Sequence, residues 1–251
     1  MYYLSVGAMF KNESHSMKEW LDHYVLHGVE HFYLIDDSST DAYMNILQPY
    51  IDKGIVSLFV VQEAYYLGRQ RNLYNRYILP IIKETKWLLM VDLDEYVWST
   101  KELRLDNILR EKGFEKYGQI QMKEALFGSN GHETQPERIV ESFTKRCHEF
   151  RGGKYKYFVN SSFEFSSLNI HHADFTESHY VNDSSVFIIV FPEYFILNHY
   201  NCQSREFWDQ VKCTRGDSDD FIKRLPEHFA LFDMNDVEDT GLVEQNRQTQ
   251  N

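Results

Sequence analysis

Five apolar residues in a row, Trp87-Leu88-Leu89-Met90-Val91, run straight into the carboxylates of Asp92, Asp94 and Glu95. A stretch without polar alternation marks a strand covered on both faces, as strands are in a parallel sheet. Open α/β sheets bind their ligands beyond the carboxyl ends of such strands. Asp92 and Asp94, in alternate positions there, present hard oxygen ligands to a divalent cation. Adjacent carboxylates repel one another unless a cation or hydrogen-bond donors offset the charge. A D-x-D at a strand end therefore suits an enzyme that holds a nucleotide diphosphate through Mg²⁺ or Mn²⁺. A solvated acidic loop is the plainer account of the same residues.

The segments before this strand predict what surrounds it. Residues 2–9 read as a first buried strand, and Met17, Trp20, Leu21, Tyr24 and Val25 form one apolar stripe of a helix. Ser16 and Glu19 have capping-box spacing at its start. His31 to Ile35 predicts a second strand, closed by the polar turn Asp36-Asp37-Ser38-Ser39-Thr40-Asp41 that opens the next helix. Ile55 to Val61 reads as a third strand and residues 69–84 as a helix. Such alternation predicts a doubly wound parallel sheet. Beyond residue 100 the strand-like pieces Gln119 to Met122, Tyr155 to Val159 and Val186 to Phe191 are separated by long polar loops. They predict a mixed or antiparallel extension on the acceptor side of a cleft. From about Phe232 onward the chain is polar, and a frayed tail is expected.

Bulk properties narrow the partners. A net charge of −12 excludes non-specific nucleic-acid binding. An acidic protein that takes a nucleotide must use local basic groups or a metal. Cys147, Cys202 and Cys213 are odd in number and lack metal-ligand spacing, so a reducing compartment is expected, with pairing of Cys202 and Cys213 left open. No stretch approaches the roughly 20 apolar residues of a membrane span. The first residues lack the basic flank of a signal peptide, and a soluble, cytoplasmic protein is expected.

Motifs in order resemble glycosyltransferase family 92, within the broader family 2-like enzymes. They are Lys11-Asn12-Glu13, Glu19-Trp20-Leu21-Asp22-His23, Gly28-Val29-Glu30-His31-Phe32, Asp36 to Asp41 and Asp92-Leu93-Asp94-Glu95-Tyr96. Phe127-Gly128-Ser129-Asn130-Gly131-His132, His171-His172 and Asn198-His199-Tyr200 follow, then Ser204, Phe207, Lys212 and Gly216. The resemblance covers roughly residues 4–216. It implies a GT-A fold, Rossmann-like and mainly parallel, with the mixed extension C-terminal to it. On that scheme residues 1–231 form one catalytic domain, 1–98 its nucleotide-binding half and 99–231 its acceptor half, with residues 232–251 a tail. It also implies a UDP-sugar donor, Mn²⁺ (or Mg²⁺) as the metal and a glycan hydroxyl as the acceptor, with inversion. The family's animal members are membrane-anchored, so a bare catalytic domain of bacterial or viral type is expected.

Residue roles follow from the same resemblance. Asp37 matches the acid that contacts uracil, against the plainer account of a capping turn that Ser39 or Asp41 fills. Phe10 and Lys11 wall the base pocket. Arg71, in a stretch resembling A-R-N with Gln70 in place of the small residue, is the donor-side arginine. Asp94 matches the direct metal ligand and Asp92 the residue facing the ribose or a metal-bound water. Glu95 orients Asp94 or bonds nearby backbone. His199 matches the distant histidine that returns to the same metal. Lys212 and Arg215 are candidates to close over the diphosphate, with Gly216 as a lid hinge. Glu133 and Asp174 are the two candidates for the base that deprotonates the acceptor. A zinc site at His171 and His172 lacks further ligands nearby. A nucleotidyltransferase and a non-catalytic glycan-binding module are the rival functions.

Overall fold

The computed structural model describes residues 1–111, 113–177, 186–190, 194–215 and 223–249; Gly216 and Phe191 lie outside them. In chain order the strands are β1 (Tyr2–Phe10), β2 (His31–Asp37), β3 (Val56–Val61), β4 (Thr85–Met90) and β5 (Glu95–Trp98). Then come β6 (Gln119–Leu126), β7 (Lys145–Arg146), β8 (Arg151–Asn160), β9 (Phe165–Leu168) and β10 (Ala173–Phe175). β11 (Phe187–Val190), β12 (Ile196–His199) and β13 (Val237–Glu238) complete the set. The main sheet has the order β3-β2-β1-β4-β8-β6-β12-β5, with β11 beside the first half of β6. β3, β2, β1 and β4 run parallel, as the alternation predicts. β8 then enters antiparallel between β4 and β6, so the extension completes the same sheet.

β1, β2 and β4 are largely apolar on both sides because both sides are covered, whereas β3 at the sheet edge leaves Val60 exposed. Leu34 and Leu89 face a core shared with Met17, Trp20, Leu21 and Tyr24 of helix α1 (Ser14–Leu26). Tyr33, Ile35, Leu88 and Met90 point the other way, into a second core with Leu73, Ile78 and Tyr157. Each fully buried side chain of this size contributes about 1.5–3 kcal/mol through apolar area removed from water.

Several local expectations fail for identifiable reasons. The helix over 69–84 is α-helical only at Arg69–Leu73, π-helical at Tyr74–Ile78 and 3₁₀ from Leu79 to Glu84. Pro80 has no N–H to donate and its ring crowds the preceding turn, so the regular ladder stops there. Ser16 and Glu19 form no capping box: α1 starts at Ser14 without a side-chain cap. Glu19 instead accepts from the backbone N–H groups of Ile139 (2.6 Å) and Val140 (3.2 Å). All three cysteines are free thiols.

The segment after Phe232 is packed rather than frayed. β13 pairs with β7, and in the helix Gly241–Gln248 Leu242 and Val243 are buried. Asp233 and Asn235 accept from the backbone N–H groups of Ser129 (2.6 Å) and Asn130 (2.9 Å). The polar residues that suggest a tail serve these bonds, while the two apolar ones enter the core. Gly128 lies against this segment: a Cβ there would sit 2.4 Å from the backbone oxygen of Met234. Gly128→Ala is therefore expected to lower stability by about 1–3 kcal/mol in a denaturant melt, the usual cost of overpacking.

Candidate active site

A cleft of about 380 Å³ opens beyond the carboxyl ends of β1, β2 and β4, where such sheets take their ligands. Its floor is the acid turn between β4 and β5. Helix α1 pins the backbone of that turn: the Trp20 indole donates to the carbonyls of Asp92 (3.1 Å) and Glu95 (3.0 Å), and Tyr24 O–H to Glu95 (3.0 Å). The Asp92 N–H closes the turn on Glu95 Oε2 at 2.8 Å.

His199 reaches the acids through strand pairing. β12 runs antiparallel to β5 with His199 opposite Glu95, and Tyr200 N–H donates to the Asp94 carbonyl at 2.8 Å. Nε2 of His199 lies 3.6 Å from Asp94 Oδ1, while Nδ1 lies 2.6 Å from Glu124 Oε2 and 3.7 Å from Glu95 Oε1. Burial works against charge on His199, but Asp94, Glu124 and Glu95 outweigh it and lift its pKa to about 10. Burial likewise opposes ionisation of Asp94, yet Lys212 and His199 hold its carboxyl well below the usual range. Burial pushes Glu95 up to about 7.

Two buried lysines neutralise the acids. Lys156 on β8 reaches Asp92 Oδ2 at 2.6 Å and Glu95 Oε2 at 3.3 Å. Lys212 Nζ meets Asp94 Oδ2 at 2.5 Å. Burial disfavours the Lys156 ammonium, but Asp92 and Glu95 prevail and hold it well above the ordinary lysine range. Gln70 Nε2 donates to the other oxygen of Asp92 at 3.0 Å, a bond that a small residue in its place could not make.

Of the residues singled out in the sequence, Phe10, Lys11, Asp37, Arg71, Asp92, Asp94, His199, Lys212 and Arg215 all line this cleft. Asp37 caps no helix. Its Oδ1 is gripped by Nε and Nη2 of Arg69, each at 2.6 Å, and Arg69 is 1% exposed. Ser39 and Asp41 instead accept from the N–H groups of Asn12 (3.0 Å) and Ser14 (2.8 Å). Phe10 packs edge-on against Tyr43. Arg215 pairs with Glu13 and donates to the Lys11 carbonyl at 2.5 Å.

Glu133 and Asp174, the two candidates for the base, are not among the residues that line the cleft. The turn holding Glu133 faces Glu206, whose N–H donates to the Glu133 carbonyl at 2.9 Å, and its carboxylate is exposed. Asp174 is exposed too, bonded to Asn169 Nδ2 at 2.7 Å; Asn169, His171 and His172 reach the cleft in its place. Among the described residues, His171 and His172 belong to no cluster of metal-ligating groups. Glu124 and Lys156 were missed by the sequence reading, as was the clamp of Arg69 on Asp37. The sequence offered little signal for them: Glu124 follows Lys123, Lys156 alternates with Lys154, and Arg69 opens the polar stretch Arg69-Gln70-Arg71-Asn72, so none stands out as a lone charge in an apolar run.

Carboxylate and imidazole donors of this kind suit a hard divalent cation. Among the described residues, ligand atoms of Glu95, Glu124 and His199 lie within 4.8 Å of one another, and Asp94 Oδ1 faces His199 Nε2 at 3.6 Å. The Asp92 side chain is a third exposed in the same cleft.

Comparison with known proteins adds the following. The model of glycosyltransferase family 92 matches residues 1–230. No curated protein matches the sequence. The structure is similar to residues 1–349 of TarS from S. aureus, at 16% identity and a TM-score of 0.45, covering 82% of this chain and 62% of that one. The same protein in complex with UDP-GlcNAc matches at 15% identity and a TM-score of 0.46, covering 79% and 59%. HddC from Yersinia pseudotuberculosis matches at 13% identity and a TM-score of 0.39, covering 78% and 93%. The chain thus spans between about a quarter and three fifths of the TarS chains it resembles. Among the described residues, no helix is long and apolar enough to cross a membrane.

Proposed function

Because the chain belongs to glycosyltransferase family 92, we propose that its cleft takes a UDP-sugar with Mn²⁺ or Mg²⁺ and transfers one sugar, with inversion, to a glycan hydroxyl. The observation that supports this most is the meeting of Asp94 and His199 at 3.6 Å, beside Asp92, at the carboxyl end of a parallel strand. Asp94 and His199 would hold the cation. Bound there, it would supply positive charge to the diphosphate leaving group.

The chain's own groups do the rest. Asp92, fixed by Gln70 and Lys156, faces the ribose with its orientation already set. Lys212 and Arg215 stand where the diphosphate would lie and stabilise charge on the departing UDP. Asp37, held by Arg69, accepts from the uracil ring N–H, and Phe10 walls the base. His171 and His172 occupy the rim expected to receive the acceptor.

UDP should raise the melting temperature much more with Mn²⁺ than with EDTA, because a ligand that binds only the native state stabilises it by mass action. Equal stabilisation in both would remove the metal from the scheme. Base recognition has its own test. Asp37→Asn keeps an oxygen for Arg69 but turns an amide N–H₂ toward the base. UDP binding should weaken by about 1–3 kcal/mol. CDP, whose ring nitrogen is an acceptor, should gain relative to UDP. An unchanged UDP-to-CDP ratio in calorimetric titration would take Asp37 out of base recognition.

A further inference from the structure

We infer that Glu124 is the positioning residue of the metal site: it fixes the His199 ring so that Nε2, and not Nδ1, faces the cation. The inference rests on the metal reading above.

Carboxylates face both ring nitrogens of the imidazole, Glu124 and the more distant Glu95 at Nδ1 and Asp94 at Nε2. On one side Glu124 Oε2 is 2.6 Å from Nδ1; on the other Asp94 Oδ1 is 3.6 Å from Nε2. These distances have different meanings. Two ligands of one octahedral ion at roughly 2.1 Å stand about 3 Å apart. Glu124 and Nδ1 are closer than that and match a charge-assisted hydrogen bond, with Nδ1–H as the donor. Asp94 and Nε2 are slightly farther apart than that spacing, and a small contraction brings them onto one ion. When a cation displaces the Nε2 proton, a ring that still donates from Nδ1 offers its lone pair at Nε2, so the bond to Glu124 selects the nitrogen that can ligate toward Asp94.

The backbone leaves this as the remaining freedom. His199 is fixed along the chain by its pairing with Glu95 on β5 and Leu126 on β6, and by the Phe127 N–H donating to its carbonyl at 2.9 Å. Pairing sets where the Cβ stands but not how the ring turns. Glu124 lies on the neighbouring strand β6, is 5% exposed, lines the cleft, and its carboxylate meets that ring at 2.6 Å. Asn201 Nδ2 approaches Nε2 at 3.3 Å, a longer contact on the side where the ion would sit. At 2.6 Å from Nδ1, against 3.7 Å for Glu95, Glu124 bears on the ring most directly.

Mn²⁺ affinity in the presence of UDP, read from the electron-spin-resonance signal of free Mn²⁺, tests this through a double-mutant cycle. Glu124→Ala should weaken Mn²⁺ binding about 10–100-fold, the usual effect of losing a histidine's outer partner. Glu124→Gln, near-isosteric and still carrying an acceptor oxygen, should recover part of the loss, which a merely structural role would not require. In a His199→Ala background, assayed at raised Mn²⁺, Glu124→Ala should cost nothing further. Independent, multiplying losses would make Glu124 a metal ligand in its own right and overturn the inference. Unchanged Mn²⁺ affinity with transfer lowered about 10²–10⁴-fold would make it the base for the acceptor, and overturn it equally. A wild-type protein with no Mn²⁺ affinity would overturn the metal reading and this inference together.

Discussion

Asp94→Asn should lower sugar transfer by about 10²–10³-fold, the loss expected when a metal worth several kcal/mol to the transition state is no longer held. The substitution is nearly isosteric, so no cavity confounds the result. It replaces a carboxylate that faces His199 Nε2 at 3.6 Å and Lys212 Nζ at 2.5 Å with a neutral amide. Mn²⁺ should then add little to UDP affinity. Lys212, left without its anion, remains free to meet the diphosphate, so UDP alone should still bind. A variant that keeps near-wild-type transfer would place the metal, or the chemistry, elsewhere.

Lys156→Met should cost stability rather than chemistry alone. The ammonium is buried between Asp92 at 2.6 Å and Glu95 at 3.3 Å, with its side chain 3% exposed. Removing one member of a buried ion pair leaves uncompensated charge and costs about 3–5 kcal/mol. In a chain of this length that corresponds to a melting temperature lower by roughly 6–20 °C. Adding Glu95→Gln to Lys156→Met should restore part of the loss, since one of the stranded carboxylates is gone. Lys156→Arg, which keeps the charge, separates charge from packing. A melting temperature for Lys156→Met within about 2 °C of wild type would mean the acids need no internal cation.

The sequence made some of this legible and hid the rest, and the division follows the range of the interactions. β1, β2 and β4 were readable because burial on both faces leaves a largely apolar run, and β3 because its residues are mostly β-branched or aromatic, both purely local signals. The acids after β4 and the aspartate ending β2 followed from strand ends, where α/β sheets place their sites. His199 was legible through the resemblance alone; what brings it to Asp94 is the pairing of β12 with β5, which no local periodicity encodes. Lys156 and Glu124 depend on the insertion of β8 between β4 and β6, again a long-range choice of partner and register. Glu133 and Asp174 lie outside the cleft lining, a placement the sequence could not give because composition shows that a turn is polar but not which way it faces. The segment beyond Phe232 was misjudged because Leu242 and Val243 are too few to give a periodic signal, yet enough to dock a short helix.

The most direct measurement is release of UDP or GDP from a panel of UDP- and GDP-sugars, each incubated with the protein in Mn²⁺ and in EDTA. The expected result is turnover of at least one UDP-sugar in Mn²⁺, little in EDTA, little with Asp94→Asn, and none of the GDP-sugars. UDP release that is equal in EDTA and Mn²⁺, or no release from any UDP-sugar, would contradict the assignment of this cleft as a cation-dependent UDP-sugar site.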